Sequence, residues 1–297
     1  MRLITMRVSI VIPAYNEQCH LALCLEAIKN QNVKPYQVIV VDNNSSDNTA
    51  KIAKSYSFVK LLHENNHGIV FARNTGFDAA SGSIIARIDA DTIIPTNWIE
   101  NIQNIFTNEN IDAVSGSVSY YDAPFNYLNA FTDLFFRAKI AGKLNKTVGY
   151  LYGCNMALTR RSWKSVRHKT CSSNDVHEDL DLAIHLKQSG FNIVFDKDLK
   201  AAISIRSFNI KLTSFHRYVQ MVPDTYKIHH ILQKRYFYPL VVLVMTAYFP
   251  IRLGLRFYNP RTNKLLMVEN WQSAHKSVNF QGYVANGKIG TIDEPRV

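Results

Sequence analysis

Ser-Ile-Ile-Ala-Arg-Ile-Asp-Ala-Asp-Thr, residues 83–92, predicts a central strand and, at its end, a ligand site. The run from Ile84 to Ile88 is short, rich in isoleucine, and bounded by Gly82 and Pro95. Such a run is typical of a strand buried on both faces in a parallel sheet. The carboxylates that follow it lie where open α/β sheets bind their ligands.

The two carboxylates after this strand, Asp89 and Asp91, are separated by one alanine. In extended chain, residues spaced in this way share a face, so one cation could bridge them. Aspartate is also a common turn residue, and the pair could instead form a turn or cap the next helix. The two residues alone leave both interpretations open.

The chain around this stretch alternates between apolar strands and segments with helical periodicity. The predicted leading strands are 7–13, 37–41, 59–62 and 84–88. This alternation predicts βαβ units, and hence an α/β fold whose mostly parallel sheet is flanked by helices. Right-handed crossovers then place Pro13, Asp42 and Asp89 along one edge of the sheet.

The composition changes after residue 205. We therefore predict a catalytic domain over 1–205 and a basic, apolar C-terminal helical extension over 206–297, with a loose tail from about 280. Within the extension, 237–251 carries no charge but contains two prolines. This run is shorter than the ~20 residues of a simple transmembrane helix.

The apolar run at 237–251 could be a helix packed in the core or a segment at the membrane surface. Its flanks are cationic, which favours attraction to anionic lipid. The stretch Met1–Val11 is too short for a signal peptide. We therefore predict a peripheral or monotopic protein at the cytoplasmic face of the membrane.

The net charge of +11 suits either a generally solvated basic surface or an anionic partner, which could be nucleic acid, lipid or a polyanionic small substrate. The first two-thirds of the sequence contains no nucleic-acid-binding motif, so we expect no nucleic acid partner. The four cysteines form no C-x-x-C pair and no His/Cys cluster along the sequence. This spacing predicts reduced thiols rather than disulfides or a zinc site.

The polar residues at the predicted sheet edge suit a nucleotide diphosphate. Asp89 and Asp91 offer the hard oxygen ligands that Mg²⁺ or Mn²⁺ prefers. Arg73 could bind phosphate or lie near the base and ribose, and Asp42 could accept hydrogen bonds from a base or ribose. The turn at residues 14–15 could flank the base.

Several segments, in this order along residues 6–200, resemble the family 2 glycosyltransferases of the GT-A fold. The segments are Val-Ser-Ile-Val-Ile-Pro-Ala-Tyr-Asn-Glu (8–17), Val-Ile-Val-Val-Asp-Asn-Asn-Ser-Ser-Asp-Asn-Thr (38–49), Ala-Arg-Asn-Thr-Gly (72–76), Ile-Asp-Ala-Asp (88–91) and Glu-Asp-Leu-Asp-Leu (178–182). Any one would be a weak signal, but the ordered set is specific. The resemblance implies a UDP- or GDP-sugar donor, Mn²⁺ or Mg²⁺, and inversion at the anomeric carbon by direct displacement.

The resemblance also implies roles for individual residues. The nucleotide-sugar pocket would be lined by Pro13, Ala14, Tyr15, Glu17, Asp42, Asn44, Arg73, Asp89 and Ala90. Asp91 would be the direct metal ligand, and Asp89 would join the metal to the ribose. Asp179 would be the general base that takes the proton of an acceptor hydroxyl, at a helix N-terminus that favours its ionised form.

Four further residues have two interpretations each. Glu178 could contact the acceptor or form a capping box with Asp175. Asn155 could contact the sugar or be an interior amide satisfied by backbone. His177 and His216 could add a metal ligand, although a lone histidine is more often structural.

The segment at 215–221, Phe-His-Arg-Tyr-Val-Gln-Met, departs from the Gln-x-x-Arg-Trp pattern of processive family members. The departure predicts a single transfer to a lipid-linked or glycan acceptor, as in cell-envelope polysaccharide biosynthesis. A non-catalytic nucleotide-sugar-binding scaffold of the same fold is the alternative. A nucleotidyltransferase is disfavoured because no glycine-rich phosphate loop follows the first strand.

Overall fold

The computed structural model describes residues 6–122, 150–173, 175–206, 210–231, 238–259 and 264–265. The aromatic helix that the periodicity predicts at 126–140 and the predicted tail from about 280 lie outside the described residues. The apolar run predicted at 237–251 is described from residue 238 onward.

The strands and helices alternate through the first part of the chain. The strands are β1 Val8–Ala14, β2 Gln37–Asp42, β3 Val59–His63, β4 Ile84–Arg87, β5 Ala113–Tyr120, β6 Met156–Thr159, β7 Ile193–Ile203, β8 Tyr258–Asn259 and β9 Lys264–Leu265. The helices are α1 Leu21–Lys29, α2 Thr49–Lys54, α3 Ile69–Ala79, α4 Trp98–Ile105, α5 Arg160–Val166, α6 Glu178–Gln188, α7 Leu212–Ile228 and α8 Tyr238–Arg256.

The main sheet has seven strands in the order β3-β2-β1-β4-β6-β5-β7. Strands β1 to β4 are mutually parallel, β6 is antiparallel to both neighbours, and β5 pairs with β7 in parallel. The predicted α/β fold with a mostly parallel sheet is therefore confirmed. Because the four leading strands run in one direction, their carboxyl ends meet at one edge.

Apolar side chains cover both faces of this sheet. Along β1, Ile10 and Ile12 belong to the core on one face, whereas Val11 belongs to the core on the other. This double burial explains why the strands are continuous apolar runs. Helix α3 packs closely on β1 because Gly76 has no side chain: a Cβ there would lie 2.3 Å from Val11 Cγ1.

The two C-terminal helices pack against α6 through a smaller core. Leu180 and Ile184 of α6 meet Tyr226 of α7 and Val241 of α8. The backbone N–H of His177 adds a hydrogen bond to Thr225 Oγ1 at 2.8 Å. The extension is thus packed on the helix that carries the predicted base, whereas a domain boundary near residue 205 stays a prediction.

Helix α8 has one packed face and one exposed apolar face. Tyr248 is buried, whereas Val242 and Phe249 are each 60% exposed. The packed face agrees with the interpretation as a core helix, whereas the interpretation as a membrane-surface segment stays a prediction. Among the described residues, no helix combines the length and apolar character needed to cross a membrane.

Candidate active site

A cleft of about 1170 Å³ opens at the carboxyl ends of β1 and β4. Its far wall is formed by the start of α6 and by α7 and α8. Eight of the predicted site residues line it, and these are Pro13, Ala14, Tyr15, Glu17, Asp89, Ala90, Asp91 and Asp179. Residues from widely separated segments of the chain therefore meet in one cleft.

The turn that follows β4 holds the Asp89–Asp91 pair in the cleft. The backbone N–H of Thr92 donates to Asp89 O at 3.0 Å, and the Asp89 N–H donates to Thr92 Oγ1 at 3.2 Å. Ile93 then exchanges two backbone hydrogen bonds with Ala202 of β7, at 2.8 and 2.9 Å. The pair forms a turn and also lines the cleft, so the two sequence interpretations are compatible.

Arg206 forms ion pairs with two of the cleft carboxylates. Its Nε lies 2.9 Å from Asp91 Oδ2, and its Nη1 donates to Glu17 Oε2 at 2.7 Å. Asp91 is 8% exposed, and this burial raises the pKa of its carboxyl to about 6 despite the arginine. A cation bound next to Asp91 would therefore stabilise the ionised form of this buried carboxylate.

Arg87 of β4 joins the two acidic parts of the site. Its Nη1 donates to Glu178 Oε1 at 2.5 Å and to Asp179 Oδ1 at 2.6 Å, and its Nη2 donates to Asp89 Oδ1 at 3.0 Å. The residue is 1% exposed. A single buried guanidinium therefore fixes the predicted base relative to the predicted metal ligands.

Asp179 lies at the start of α6 and faces the cleft. Its Oδ2 accepts a hydrogen bond from the Gly153 N–H at 2.7 Å. Burial and the adjacent Glu178 carboxylate raise the pKa of Asp179. A Cβ at Gly153 would lie 2.5 Å from Arg87 Cζ and 2.6 Å from Asp179 Oδ2, so glycine permits this close arrangement.

Arg73 is positioned differently from its predicted role at the nucleotide phosphate. It is fully buried on α3, and its Nη1 donates to Glu178 Oε2 at 2.9 Å and to the Glu178 carbonyl at 2.8 Å. Its other nitrogens donate to Asn74 Oδ1. Because these acceptors satisfy the guanidinium, Arg73 supports the start of α6 from behind the cleft.

Glu178 is also corrected. The residue preceding α6 is His177, with no side-chain capping bond, and the Glu178 carboxylate is 6% exposed between Arg73 and Arg87. The predicted capping box with Asp175 is therefore wrong. Glu178 is likewise absent from the cleft lining, and its two oxygens accept from Arg73 and Arg87.

Asn155 is an interior amide. It is fully buried, its Nδ2 donates to the carbonyls of Ser117 and Leu199 at 2.8 Å each, and its Oδ1 accepts from Trp98 Nε1 at 2.9 Å. The structure therefore agrees with the interpretation of Asn155 as an interior amide satisfied largely by backbone groups, and not with the prediction that it contacts the sugar. Its hydrogen bonds join β5, β7 and α4 beneath the site.

The family model of glycosyl transferase family 2 matches residues 9–167, more than half of the 297 residues. The chain belongs to glycosyl transferase family 2. It is 35% identical over 120 residues to glycosyltransferase AglE of Haloferax volcanii, covering 38% of this chain and 40% of that one. It is 33% identical over 120 residues to glycosyltransferase GlyG of Streptococcus pneumoniae, covering 39% and 40%. The family 2 chain thus spans about 40% of the length of these relatives.

Two solved structures share the fold of this family 2 chain. Mannosyltransferase PcManGT from Pyrobaculum calidifontis, in complex with GDP-Man and Mn²⁺, has a TM-score of 0.61 and 19% identity, over 99% of this chain and 82% of that one. Glucosyl-3-phosphoglycerate synthase from Mycobacterium tuberculosis, with Mn²⁺, UDP-glucose and phosphoglyceric acid, has a TM-score of 0.54 and 19% identity, over 77% and 81%. The predicted GT-A fold is confirmed.

Two predicted nucleotide contacts of the family 2 chain, Asp42 and Asn44, lie beside the cleft rather than in its lining. Asp42 Oδ2 is 3.2 Å from His63 Nδ1, while its Oδ1 is buried without a hydrogen-bond partner among the described residues. Asn44 is exposed, and its Nδ2 donates to Asn65 O at 2.6 Å. Their role in donor binding stays a prediction.

The two histidines considered as extra ligands differ in position. His177 lines the cleft, and its Nδ1 is buried without a hydrogen-bond partner in the part of the chain that the structure describes. His216 is exposed on α7, with Nε2 3.4 Å from Gln220 Nε2. Of these two histidines, His177 is the one that lines the cleft together with the predicted metal ligands and base.

Sequence reasoning assigned no role to Arg87 or Arg206. Arg87 lies inside a strand predicted to be buried on both faces, and a buried charge requires a partner. An arginine in such a strand therefore indicates, from the sequence alone, that buried carboxylates lie near it. No comparable signal marked Arg206, because its position follows from the Ile93–Ala202 pairing.

Proposed function

We propose that this chain is a metal-dependent, inverting glycosyltransferase that transfers a single sugar from a nucleotide-diphosphate-sugar donor. The observation that supports the proposal is the convergence of Asp89, Asp91 and Asp179 in one cleft, where Arg87 joins Asp89 to Asp179. This arrangement offers both a cation site and a base within the space of one substrate. Membership of glycosyl transferase family 2 supports the same reaction class.

The donor set at Asp89 and Asp91 fits Mn²⁺ or Mg²⁺. Both groups are carboxylates in the cleft lining, and burial together with the neighbouring Asp89 raises the pKa of Asp91, so a bound cation would favour its ionised form. When bound, the cation supplies positive charge that stabilises the diphosphate leaving group. Arg206 would release Asp91 Oδ2 to it and keep its contacts with Glu17.

The nucleotide of a UDP- or GDP-sugar would lie along the ends of β1 and β2. Tyr15 is 52% exposed at the cleft, and its ring packs edge-on to that of His67 at 5.4 Å. The unpartnered Oδ1 of Asp42 is an acceptor beside this surface. PcManGT holds GDP-Man and the mycobacterial synthase holds UDP-glucose, so the fold admits either donor type.

In the proposed reaction Asp179 takes the proton of an acceptor hydroxyl. The hydroxyl oxygen forms a bond to the anomeric carbon as the bond to the diphosphate oxygen breaks, and the diphosphate leaves with the electron pair. Attack opposite the leaving group inverts the anomeric centre. The Gly153 N–H and Arg87 hold the carboxylate in place throughout.

Asp91→Ala is expected to abolish metal-dependent nucleotide binding. Removal of a direct ligand should weaken Mn²⁺-dependent binding of UDP or GDP by more than about tenfold. Titration calorimetry with and without Mn²⁺ measures this, and Asp198→Ala, which removes an exposed aspartate of β7, is the matched control. Undiminished binding in Asp91→Ala would contradict the site, whereas wild-type binding without turnover on any acceptor would favour the scaffold alternative.

The acceptor we propose is lipid-linked or a glycan, met at the cytoplasmic face of the membrane in cell-envelope polysaccharide biosynthesis. One wall of the cleft is apolar, formed by Val219, Val222, Val241 and Val244. The outer face of α8 continues this apolar character with Val242, Leu243, Phe249 and Leu253, which are all more than half exposed. An apolar wall beside an apolar surface suits a lipid-bearing acceptor.

Membrane association predicts co-sedimentation with anionic vesicles that weakens as salt rises. Val242→Asp combined with Phe249→Asp should lower vesicle partitioning by at least about tenfold, because two apolar side chains lose their burial in lipid. Tyr36→Asp, at another half-exposed aromatic, is the control and should partition as the wild type does. Equal partitioning of the double variant and the wild type would refute this surface.

A further inference from the structure

Four potential metal ligands converge on the side of α6 that carries Asp181 and His185. The other two are Cys171, from the segment after α5, and His229, which directly follows α7. One ligand atom from each residue lies within 4.8 Å of all the others. The prediction of no His/Cys cluster, made from spacing along the chain, is therefore wrong in three dimensions.

Asp181 is the centre of this cluster. It is fully buried, and its Oδ1 lies 2.8 Å from His229 Nε2 and 3.5 Å from His185 Nε2. Its Oδ2 accepts the backbone N–H of Cys171 at 3.0 Å. These contacts bring the side chains of His185 and His229 and the backbone of Cys171 to one carboxylate.

His185 points an unsatisfied nitrogen into the cluster. Its Nε2 is buried and makes no hydrogen bond among the described residues, since its contact with Asp181 Oδ1 at 3.5 Å is only an ion-pair distance. A buried polar atom without a partner costs free energy, so its retention calls for an explanation. A cation at the centre of the cluster would supply the missing partner.

We propose that Cys171, Asp181, His185 and His229 bind one zinc ion. Thiolate sulfur, imidazole nitrogen and carboxylate oxygen are all zinc ligands, at bond lengths of about 2.0–2.3 Å. Tetrahedral geometry at those lengths places ligand atoms roughly 3.3–3.8 Å apart. To reach this geometry the widest separation must shrink by about 1 Å, and the 2.8 Å contact between Asp181 and His229 must lengthen by about 0.5 Å. On binding, the Cys171 thiol and the ligating histidine nitrogens release any proton they carry to solvent.

This site is chemically distinct from the carboxylate pair in the cleft. Asp89 and Asp91 offer only hard oxygen atoms, which suit Mn²⁺ or Mg²⁺, whereas sulfur and imidazole select zinc. All four tetrahedral positions are filled by the protein, which is typical of a structural rather than a catalytic zinc. The ion would link His229, at the end of α7, to Asp181 and His185 of α6. Asp181 lies two residues after Asp179 in the chain.

Cobalt substitution of the full-length protein tests the proposal directly. After removal of bound metal, Co²⁺ should produce a near-ultraviolet thiolate-to-cobalt charge-transfer band that saturates at one equivalent, and Zn²⁺ should abolish it. The band should persist in Asp91→Ala, which alters the cleft, and in Cys19→Ser, which alters an exposed cysteine. It should be lost in Cys171→Ser.

Thermal unfolding gives an independent measurement. Zn²⁺ at roughly a hundredfold excess over its dissociation constant should raise the Tm of the metal-free protein by about 5 °C. His229→Gln, at a helix end, should retain the cobalt band with at least about tenfold weaker affinity. No band in the wild type, a band that survives Cys171→Ser, or unchanged affinity in His229→Gln would each overturn the zinc site.

Discussion

Asp179→Asn is expected to lower kcat by about 10²–10⁴-fold while donor binding is retained. Asparagine keeps an oxygen that can accept from the Gly153 N–H but loses the acceptor for Arg87 Nη1. The contacts of Glu178 with Arg73 and Arg87 still hold the start of α6. Asparagine has no basic carboxylate to take the acceptor proton. The loss should therefore appear in the chemical step, while binding at the proposed nucleotide site along the ends of β1 and β2 should be unchanged.

Steady-state kinetics together with nucleotide titration separate these two effects. Asp175→Asn, at an exposed carboxylate shortly before α6, is the matched control and should keep wild-type kcat. If Asp179→Asn turned over at the wild-type rate, the assignment of the base would be wrong. A parallel loss of nucleotide affinity would instead indicate that the substitution disturbs the cleft.

The raised pKa of Asp179 also gives the reaction a pH signature. The base acts only when ionised, so kcat/KM should fall as pH drops through this pKa. Because burial and Glu178 raise the pKa, the decline should occur at a higher pH than for an ordinary carboxylic acid. The residual kcat/KM of Asp179→Asn should not show this decline at low pH.

The sequence contained enough information for the sheet and for the edge that bears the site. Short apolar runs between helical segments determine strand direction, and parallel strands bring their carboxyl ends together. Asp89, Asp91 and Pro13 therefore meet at the edge where the pattern placed them. The prediction succeeded because each of these positions depends on local periodicity and chain direction.

The ligand contacts that the structure contradicts involve residues whose actual partners lie far away along the chain. Arg73 and Asn155 were predicted to face ligands, but Glu178 and Trp98 respectively satisfy them inside the protein. A sequence motif identifies a polar residue, but it does not show whether that residue forms its hydrogen bonds with other protein groups or with a ligand. The cluster around Asp181 was missed for the same reason, since helix packing alone brings its members together.

Arg87→Met is expected to destabilise folding by about 3–5 kcal/mol. The substitution keeps the apolar stem but leaves Asp179 without its cation and Glu178 with Arg73 alone. Both carboxylates are almost fully buried, so water cannot replace the lost partner. Arg87→Lys should recover only part of the loss, because a single ammonium cannot reproduce the forked guanidinium contacts.

Urea denaturation of both variants measures this effect, and the surface pair of Arg167 with Asp78 provides the control. Arg167 is 55% exposed in its side chain, so Arg167→Met should cost no more than about 1 kcal/mol. Comparable losses at the two arginines would show that Arg87 acts as an ordinary ion pair. A large loss confined to Arg87 would support its place at the centre of the site.

The stabilisation by Arg87 should also depend on pH in a defined window. Burial alone raises the pKa of Glu178, but Arg87 and Arg73 hold it at about 2, below its ordinary value of 4.5. A depressed pKa stabilises the folded protein fully above the ordinary value, and the stabilisation is lost as pH falls towards the folded pKa. The difference in unfolding free energy between wild type and Arg87→Met should therefore be largest above about pH 4.5 and shrink towards pH 2. A difference that stayed constant across this range would mean that the methionine acts through packing, and that the buried carboxylates do not depend on Arg87 for their charge.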